Sequence, residues 1–257
     1  MKISASSQQI KLYLKASTSP LAKPIKINCL GDSITYGIGS SLTPETPLKN
    51  LMPYHAYWQK QYQAVVRNYG QCGSFVADYT DRSKGVQPNH SLAFVRRCMD
   101  MEPDADMITV LGGVNDCQAG YFTPHEFGSF TPSTACNAGT FCGALHVMLT
   151  ALRQKYPHAL IVYLTPLVYG DKKDGRNTIW EHSDKLLFYI QAIKHICAEY
   201  AVQVIDLYTP PELHFCINSD DKSICGDRLH FGHLAHAALG KYIIKQLALS
   251  GAVTICD

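Results

Sequence analysis

The stretch that decides the fold is IKINCLGDS, residues 25–33. Its first six residues form a short apolar run typical of a β-strand, and Gly31 permits a tight turn at the end of it. A serine that opens the next helix has its hydroxyl near unpaired backbone N–H groups, which are the donors a developing oxyanion needs. These residues alone leave a second interpretation open, in which Ser33 only caps a helix, because Asp and Ser are both good N-caps.

The rest of the chain repeats this alternation of short apolar runs and helical stretches. We predict strands at 25–30, 66–69, 107–111, 160–164 and 202–207, and helices at 57–66, 92–101, 141–156, 179–200 and 234–249. Such strands indicate a sheet buried on both faces, and the crossover rule favours a three-layer α/β/α sandwich around a mostly parallel, five-stranded sheet. The active site of such a fold lies beyond the carboxyl ends of the strands, so the reactive residues should follow strands directly.

Length and composition are those of one soluble domain. With 257 residues, 46% hydrophobic and 17% charged, the chain can bury a substantial core, and we assign residues 24–257 to one domain. Residues 1–23 are a polar extension, either an edge strand around Ile10, Leu12 and Leu14 or disordered. A formal charge of +2 is too small to indicate nucleic acid as a partner.

No apolar stretch approaches the roughly 20 residues of a membrane span, and the N-terminus lacks the continuous apolar region of a signal peptide. As written, the sequence favours a cytoplasmic location, whereas a signal peptide removed beforehand would indicate secretion. The sequence leaves the oligomeric state open.

The ten cysteines follow no metal-binding pattern. The sequence has no C-x-x-C pair, and the pairing of the cysteines cannot be deduced. Cys29, Cys98 and Cys197 lie in strongly apolar stretches, where a free cysteine behaves as a small buried hydrophobe. We therefore expect a structural, reduced role for most of the ten.

Three further segments carry groups that complete a hydrolytic site. Residues 68–74 (NYGQCGS) and 112–116 (GGVND) each follow a predicted strand, and Asn115 offers a side-chain amide donor. Asp227 stands three residues before His230, close enough to hold the imidazole in one tautomer. Read singly, these segments are ordinary turns and an ordinary His–Asp pair. Their order along the chain is what points to a serine hydrolase.

A metal site is the alternative use of the histidines. His230, His233 and His236 recur at every third residue, but that spacing spreads them around a helix, and no acidic ligand is obvious nearby. We predict neither a metal nor a cofactor.

Together the four segments resemble the SGNH/GDSL hydrolase family over roughly residues 25–249. The resemblance implies a flavodoxin-like fold, with Ser33 as nucleophile, His230 as general base and Asp227 as the group that orients it. It also implies an oxyanion hole made by the backbone N–H groups of Ser33 and Gly73 and by the amide of Asn115. Gly73 is preferred to Gly70 because the family's glycine closes an N-x-G-x-x-G type segment. Asp32 and Asp116 match motif positions too, and we interpret them as structural supports.

The sequence departs from the family pattern on either side of His230. Family members often have D-G-x-H-P, whereas this chain has Arg228 in place of the glycine and Phe231 in place of the proline. Arg228 either contacts an acidic substrate or is simply solvated.

The substrate is less well defined than the chemistry. Residues 93–97 and 140–145 resemble family members that remove small acyl groups from carbohydrates. This resemblance implies a serine esterase for small acyl esters, acetyl above all, of a small molecule or carbohydrate. The alternatives are a lysophospholipase- or thioesterase-type lipid hydrolase, a non-catalytic carbohydrate-binding protein and a metal-dependent hydrolase. The long loop 117–139 carries four aromatic residues that either line the substrate pocket or pack the loop onto the core: Tyr121, Phe122, Phe127 and Phe130.

Overall fold

Strands and helices alternate in the computed structural model, which describes residues 12–15, 23–41, 51–79, 92–119, 127–131, 136–173, 176–179, 183–225 and 227–256. The strands are β1 (Leu12–Lys15), β2 (Ile25–Gly31), β3 (Ala64–Gly70), β4 (Met107–Leu111), β5 (Leu160–Leu164), β6 (Gly170–Lys173), β7 (Arg176–Ile179), β8 (Gln203–Ile205) and β9 (Val253–Cys256). The helices are α1 (Ser33–Tyr36), α2 (Ala56–Gln61), α3 (Phe94–Arg97), α4 (Val114–Gln118), α5 (Phe141–Lys155), α6 (Ser183–Glu199), α7 (Phe215–Asn218) and α8 (His233–Leu249). No helix in these ranges is both long and apolar enough to cross a membrane.

Five strands form the central sheet, in the order β3-β2-β4-β5-β8, and every pair is parallel. The carboxyl ends of the strands are level with one another. Gly31 at the end of β2 pairs with Gly70 of β3 on one side and with Leu111 of β4 on the other. Leu111 pairs in turn with Leu164 of β5, and Leu164 with Ile205 of β8. The predicted five-stranded parallel sheet is confirmed, and the segments that follow β2, β3 and β4 emerge side by side.

The sheet is buried on both faces because its strands carry apolar residues at successive positions. In β2, Leu30 packs into the core under α3, α5 and α6, whereas Cys29 points into the core under α2 and α8. All five residues of β4 and of β5 are buried. This is the predicted three-layer α/β/α sandwich.

Two predicted helices are wrong at one end. The helix predicted over 57–66 ends at Gln61, and the chain then enters β3 at Ala64, where Val65 and Val66 pair with β2. The β-branched residues take the strand because the sheet offers them backbone partners, which outweighs helical periodicity. For the helix predicted over 179–200, the structure has α6 at Ser183–Glu199, and Ile179 is instead a strand residue that pairs with Gly170 in the antiparallel ladder of β6 and β7.

Two other predicted elements are longer than those observed. The helix predicted over 92–101 is α-helical only at Phe94–Arg97 and continues as a turn, and the strand predicted over 202–207 is Gln203–Ile205. The helices predicted over 141–156 and 234–249 agree with α5 and α8 to within one residue at each end.

The N-terminal segment contributes a strand outside the central sheet. Leu12–Lys15 pairs in parallel with Val253–Cys256, and Leu14 is buried in the core under α2 and α8. Ile10 lies outside the described residues. The division of the chain at residue 23 stays a prediction.

Two of the ten cysteines form a disulfide. Cys216 and Cys225 form a disulfide, which the sequence did not indicate. Cys29, Cys98 and Cys197 are buried and free, as predicted. The disulfide lies just before the segment that carries Asp227.

Candidate active site

The turn after β2 places Ser33 at the first position of α1. Asp32 has an extended backbone, and its Oδ1 accepts a hydrogen bond from the N–H of Ile34 at 2.9 Å, so Asp32 is the N-cap. The interpretation in which Ser33 itself caps the helix is therefore wrong. The backbone N–H of Ser33 belongs to the first turn, whose donors have no partner inside the helix.

The side chains of Ser33, His230 and Asp227 form one continuous chain of hydrogen bonds. The Oγ of Ser33 lies 2.9 Å from Nε2 of His230, although the two residues are 197 positions apart. On the other side of the ring, Nδ1 of His230 lies 2.7 Å from Oδ2 of Asp227. The second carboxylate oxygen accepts the backbone N–H groups of His230 at 2.7 Å and of Leu229 at 3.1 Å. The turn that carries the imidazole is therefore held by the carboxylate that orients it.

The protonation state of Asp227 follows from these contacts. Partial burial raises the pKa of this carboxyl, but the hydrogen bonds from the ring and backbone of His230 and from the backbone of Leu229 outweigh it, so the pKa is lowered overall. Asp227 is then ionised near neutral pH and accepts the Nδ1–H of His230. That tautomer leaves Nε2 free to accept the proton of the Ser33 hydroxyl.

The three predicted oxyanion donors lie on neighbouring strand ends. Gly73 is exposed, with a left-handed φ of +68°, in the loop after β3. The amide nitrogen of Asn115 donates to the carbonyl of Ser74, the residue that follows Gly73, at 2.9 Å. The same loop is joined to the nucleophile turn, because the N–H of Gln71 donates to the carbonyl of Gly31 at 3.0 Å. These bonds bring the loops of Ser33, Gly73 and Asn115 together.

A buried arginine that sequence reasoning missed lies behind these loops. Arg97 is 6% exposed. Its guanidinium donates to the carbonyls of Gly31 at 3.1 Å, Tyr69 at 2.5 Å and Leu92 at 2.7 Å, and to Oγ of Ser74 at 3.1 Å. Burial lowers the pKa of Arg97 to about 10, which still leaves it charged at neutral pH. One cation thus joins the ends of β2 and β3 to the loop of Gly73.

The sequence contains a signal that would have found this arginine. Phe94, Cys98 and Met101 are buried at spacings typical of one helix face, and Arg97 falls on the same face, three residues after Phe94. A charged residue among apolar ones at that spacing indicates a buried polar contact.

The comparison with protein families decides the identity of the fold. The model described as the GDSL-like Lipase/Acylhydrolase family matches residues 29–238, which is more than half of the chain. The chain belongs to this family. The matched range includes all five residues of the predicted site.

Solved structures share the fold of this chain at low sequence identity. A protein from Lactobacillus plantarum is 22% identical with a TM-score of 0.63, over 89% of this chain and 99% of that one. The M. smegmatis aryl esterase is 15% identical with a TM-score of 0.58, over 88% and 99% of the two chains. A carbohydrate acetylesterase from Sinorhizobium meliloti is 15% identical with a TM-score of 0.54, also over 88% and 99%. No curated protein sequence matches the chain.

Two buried carboxyl groups of this chain accept hydrogen bonds from the turns near the candidate site. Asp116 accepts the backbone N–H groups of Val76 at 3.0 Å and Ala77 at 3.2 Å, and burial raises its pKa to about 6 despite those bonds. Burial likewise raises the pKa of Asp32 to about 7, against the opposing effect of its bond from Ile34. Both contacts lie within the fold, which favours our interpretation of these residues as structural supports.

Two of the three histidines considered for a metal, His230 and His236, contact different groups. His230 contacts Ser33 and Asp227, whereas the buried His236 has its Nε2 3.4 Å from the carbonyl oxygen of Ile38. Burial lowers the pKa of His236 to about 3. Across the described ranges no group of three His, Cys, Asp or Glu side chains is arranged to hold a metal ion.

The two departures from the family pattern have structural roles. Arg228 forms an ion pair with Asp220 and donates to the carbonyl of Cys216 at 3.2 Å, so it is not simply solvated. Contact between Arg228 and an acidic substrate stays a prediction. Phe231 is fully buried and packs edge-on against Phe215.

The aromatic residues of the loop 117–139 that the structure describes pack onto the core. Phe127 is buried, with its ring centroid 5.6 Å from that of Phe141 and 4.9 Å from that of Tyr189. The ring of Phe130 lies beside that of Phe127, tilted by 50°, with the two centroids 5.9 Å apart. For these two residues the packing alternative holds. Tyr121 and Phe122 lie outside the described residues.

Proposed function

We propose that this chain is a carboxylic ester hydrolase that uses Ser33 as its nucleophile. The observation that carries the proposal is the hydrogen-bonded chain from Ser33 Oγ through His230 to Asp227, with donor–acceptor distances of 2.9 and 2.7 Å. Membership of the GDSL-like lipase/acylhydrolase family supports the same reaction class.

Each residue then has a defined role. Ser33 Oγ attacks the ester carbonyl carbon while Nε2 of His230 takes the hydroxyl proton, and Asp227 stabilises the imidazolium that forms. The oxyanion of the tetrahedral intermediate accepts hydrogen bonds from the backbone N–H groups of Ser33 and Gly73 and from the amide of Asn115.

The intermediate collapses as His230 returns its proton to the departing alcohol. This leaves an acyl ester on Ser33. Water attacks that ester while His230 takes a proton from the water. The acid is released as His230 returns the proton to the Ser33 oxygen.

We propose a short acyl group, acetyl, on a carbohydrate as the substrate. The support is the fold shared with the Sinorhizobium meliloti carbohydrate acetylesterase, together with the sequence resemblance at residues 93–97 and 140–145. The M. smegmatis aryl esterase has the same fold, so simple aryl acetates are suitable first substrates.

A profile of activity against acyl-chain length tests this proposal. Hydrolysis of p-nitrophenyl acetate, butyrate and octanoate is measured with wild-type protein and with Ser33→Ala as control. We expect kcat/KM to be highest for acetate, and acetate to be released from an acetylated sugar. Preference for octanoate would instead support a lipid or thioester hydrolase. Sugar binding without any esterase activity would support a carbohydrate-binding protein.

A further inference from the structure

The backbone of Arg228 lies in a conformation that glycine favours. Its φ is +72°, in the left-handed region that residues with a side chain adopt only at a free-energy cost. Family members often have glycine at this position, between the Asp and the His of the motif. The presence of arginine therefore needs a compensating contact.

The side chain of Arg228 makes that contact with the segment Cys216–Cys225, here called the disulfide loop. Its guanidinium forms an ion pair with Asp220 and donates to the carbonyl oxygen of Cys216 at 3.2 Å. The backbone carbonyl of Arg228 accepts the N–H of Gly170 at 3.0 Å. The arginine side chain is 21% exposed, so most of it is covered by these neighbours.

The disulfide loop also holds the chain on the other side of His230. The N–H of Gly232 donates to the carbonyl of Ile224 at 2.8 Å, and Cys225 forms a β-bridge with Phe231. The approach is so close that a Cβ at position 232 would overlap the backbone of Ser223. The disulfide joins the two ends of the loop. The turn that carries the imidazole is therefore attached to one cross-linked loop both before and after His230.

We propose that Arg228 is a positioning residue for the reaction: it holds the turn of Asp227 and His230 on the disulfide loop so that Nε2 stays within reach of Ser33. This inference rests on the proposed function. The reason is geometric, since the bond between His230 and Ser33 has a distance of 2.9 Å and a displacement of about 1 Å at a reacting group can cost on the order of 10²-fold in rate.

The variants Arg228→Gly, Arg228→Lys and Asp220→Asn test the proposal. Glycine at position 228 removes the side-chain contacts but also removes the backbone strain of the positive φ. The two effects on stability therefore oppose each other. Lysine keeps the charge but cannot bond two acceptors as a planar fork. Arg67→Ala is the matched control. Like Arg228, Arg67 is mostly covered, at 24% exposed, and forms an ion pair with an aspartate, Asp104, but it lies on the edge strand β3.

We expect Arg228→Gly to lower kcat for p-nitrophenyl acetate by about tenfold or more while KM changes by less than about twofold. Arg228→Lys should recover part of the rate, Asp220→Asn should lie between the wild type and Arg228→Gly, and Arg67→Ala should match the wild type.

A wild-type kcat in Arg228→Gly would overturn the proposal. If that variant does not fold, the same result in both Arg228→Lys and Asp220→Asn overturns it. Failure of the proposed function is distinguishable, because it shows as an inactive wild type or an active Ser33→Ala protein, and then both proposals fall.

Discussion

Replacing Asn115 with alanine isolates one donor of the proposed oxyanion hole. Its amide nitrogen carries two hydrogens, and the carbonyl of Ser74 takes one of them at 2.9 Å. The second is left for the substrate. Loss of one such donor typically lowers kcat by about 10²–10³-fold, equivalent to about 2.7–4 kcal/mol of transition-state stabilisation.

The same substitution also leaves the Ser74 carbonyl without this partner, which should cost about 0.5–1.5 kcal/mol of stability. For a domain of this size that lowers Tm by a few degrees, too little to account for the loss of rate.

The assay is steady-state hydrolysis of p-nitrophenyl acetate, with Tm measured on the same samples. Gln118→Ala is the matched control, since Gln118 lies exposed on the same helix, α4. We expect Asn115→Ala to lose kcat at nearly constant KM, and Gln118→Ala to match the wild type. A kcat for Asn115→Ala within about fivefold of wild type would refute a role for Asn115 in stabilising the oxyanion.

Two further predictions concern stability. Burial lowers the pKa of His236 to about 3, whereas an imidazole in the unfolded chain titrates at about 6.5. Between these two pH values the unfolded chain binds more protons than the folded one, so the free energy of unfolding falls as the pH drops. Burial raises the pKa values of Asp32 and Asp116, so these two groups stabilise the folded protein as the pH falls, and the effect of His236 must be measured against the wild type. In urea unfolding from pH 7 to 4, His236→Leu should lose less stability than the wild type. Equal losses in the two proteins would contradict the assignment. Removing the disulfide with Cys216→Ala and Cys225→Ala should lower the free energy of unfolding by about 2–3 kcal/mol, the chain-entropy value for so short a loop; an unchanged urea midpoint would contradict it.

The parts of the fold predicted best are those set by short-range pattern. The strands β4 and β5 are short apolar runs, and such a run indicates a buried strand from its own residues alone. The part of the candidate site that carries Ser33, Gly73 and Asn115 was predictable because these three motifs follow strands, and the strands end level with one another at Gly31, Gly70 and Leu111. Parallel topology therefore turned three separate motifs into one location.

The parts missed depend on contacts between distant segments. The sequence Asp174-Gly175 is a hairpin signal, but the flanking residues are charged rather than alternating, so β6 and β7 were not predicted. The disulfide and the contacts of Arg97 and Arg228 join segments whose proximity no local pattern encodes.

Labelling with a fluorophosphonate tests the central claim most directly, because such reagents react with activated serines. Trypsin should release Ser33 within the peptide 27–49, which also contains Ser40 and Ser41, so fragmentation must assign the site. We predict an adduct on Ser33 that forms in step with the loss of esterase activity, and neither label nor activity in Ser33→Ala. An adduct on another residue, in a Ser33→Ala protein that keeps its esterase activity, would contradict the account.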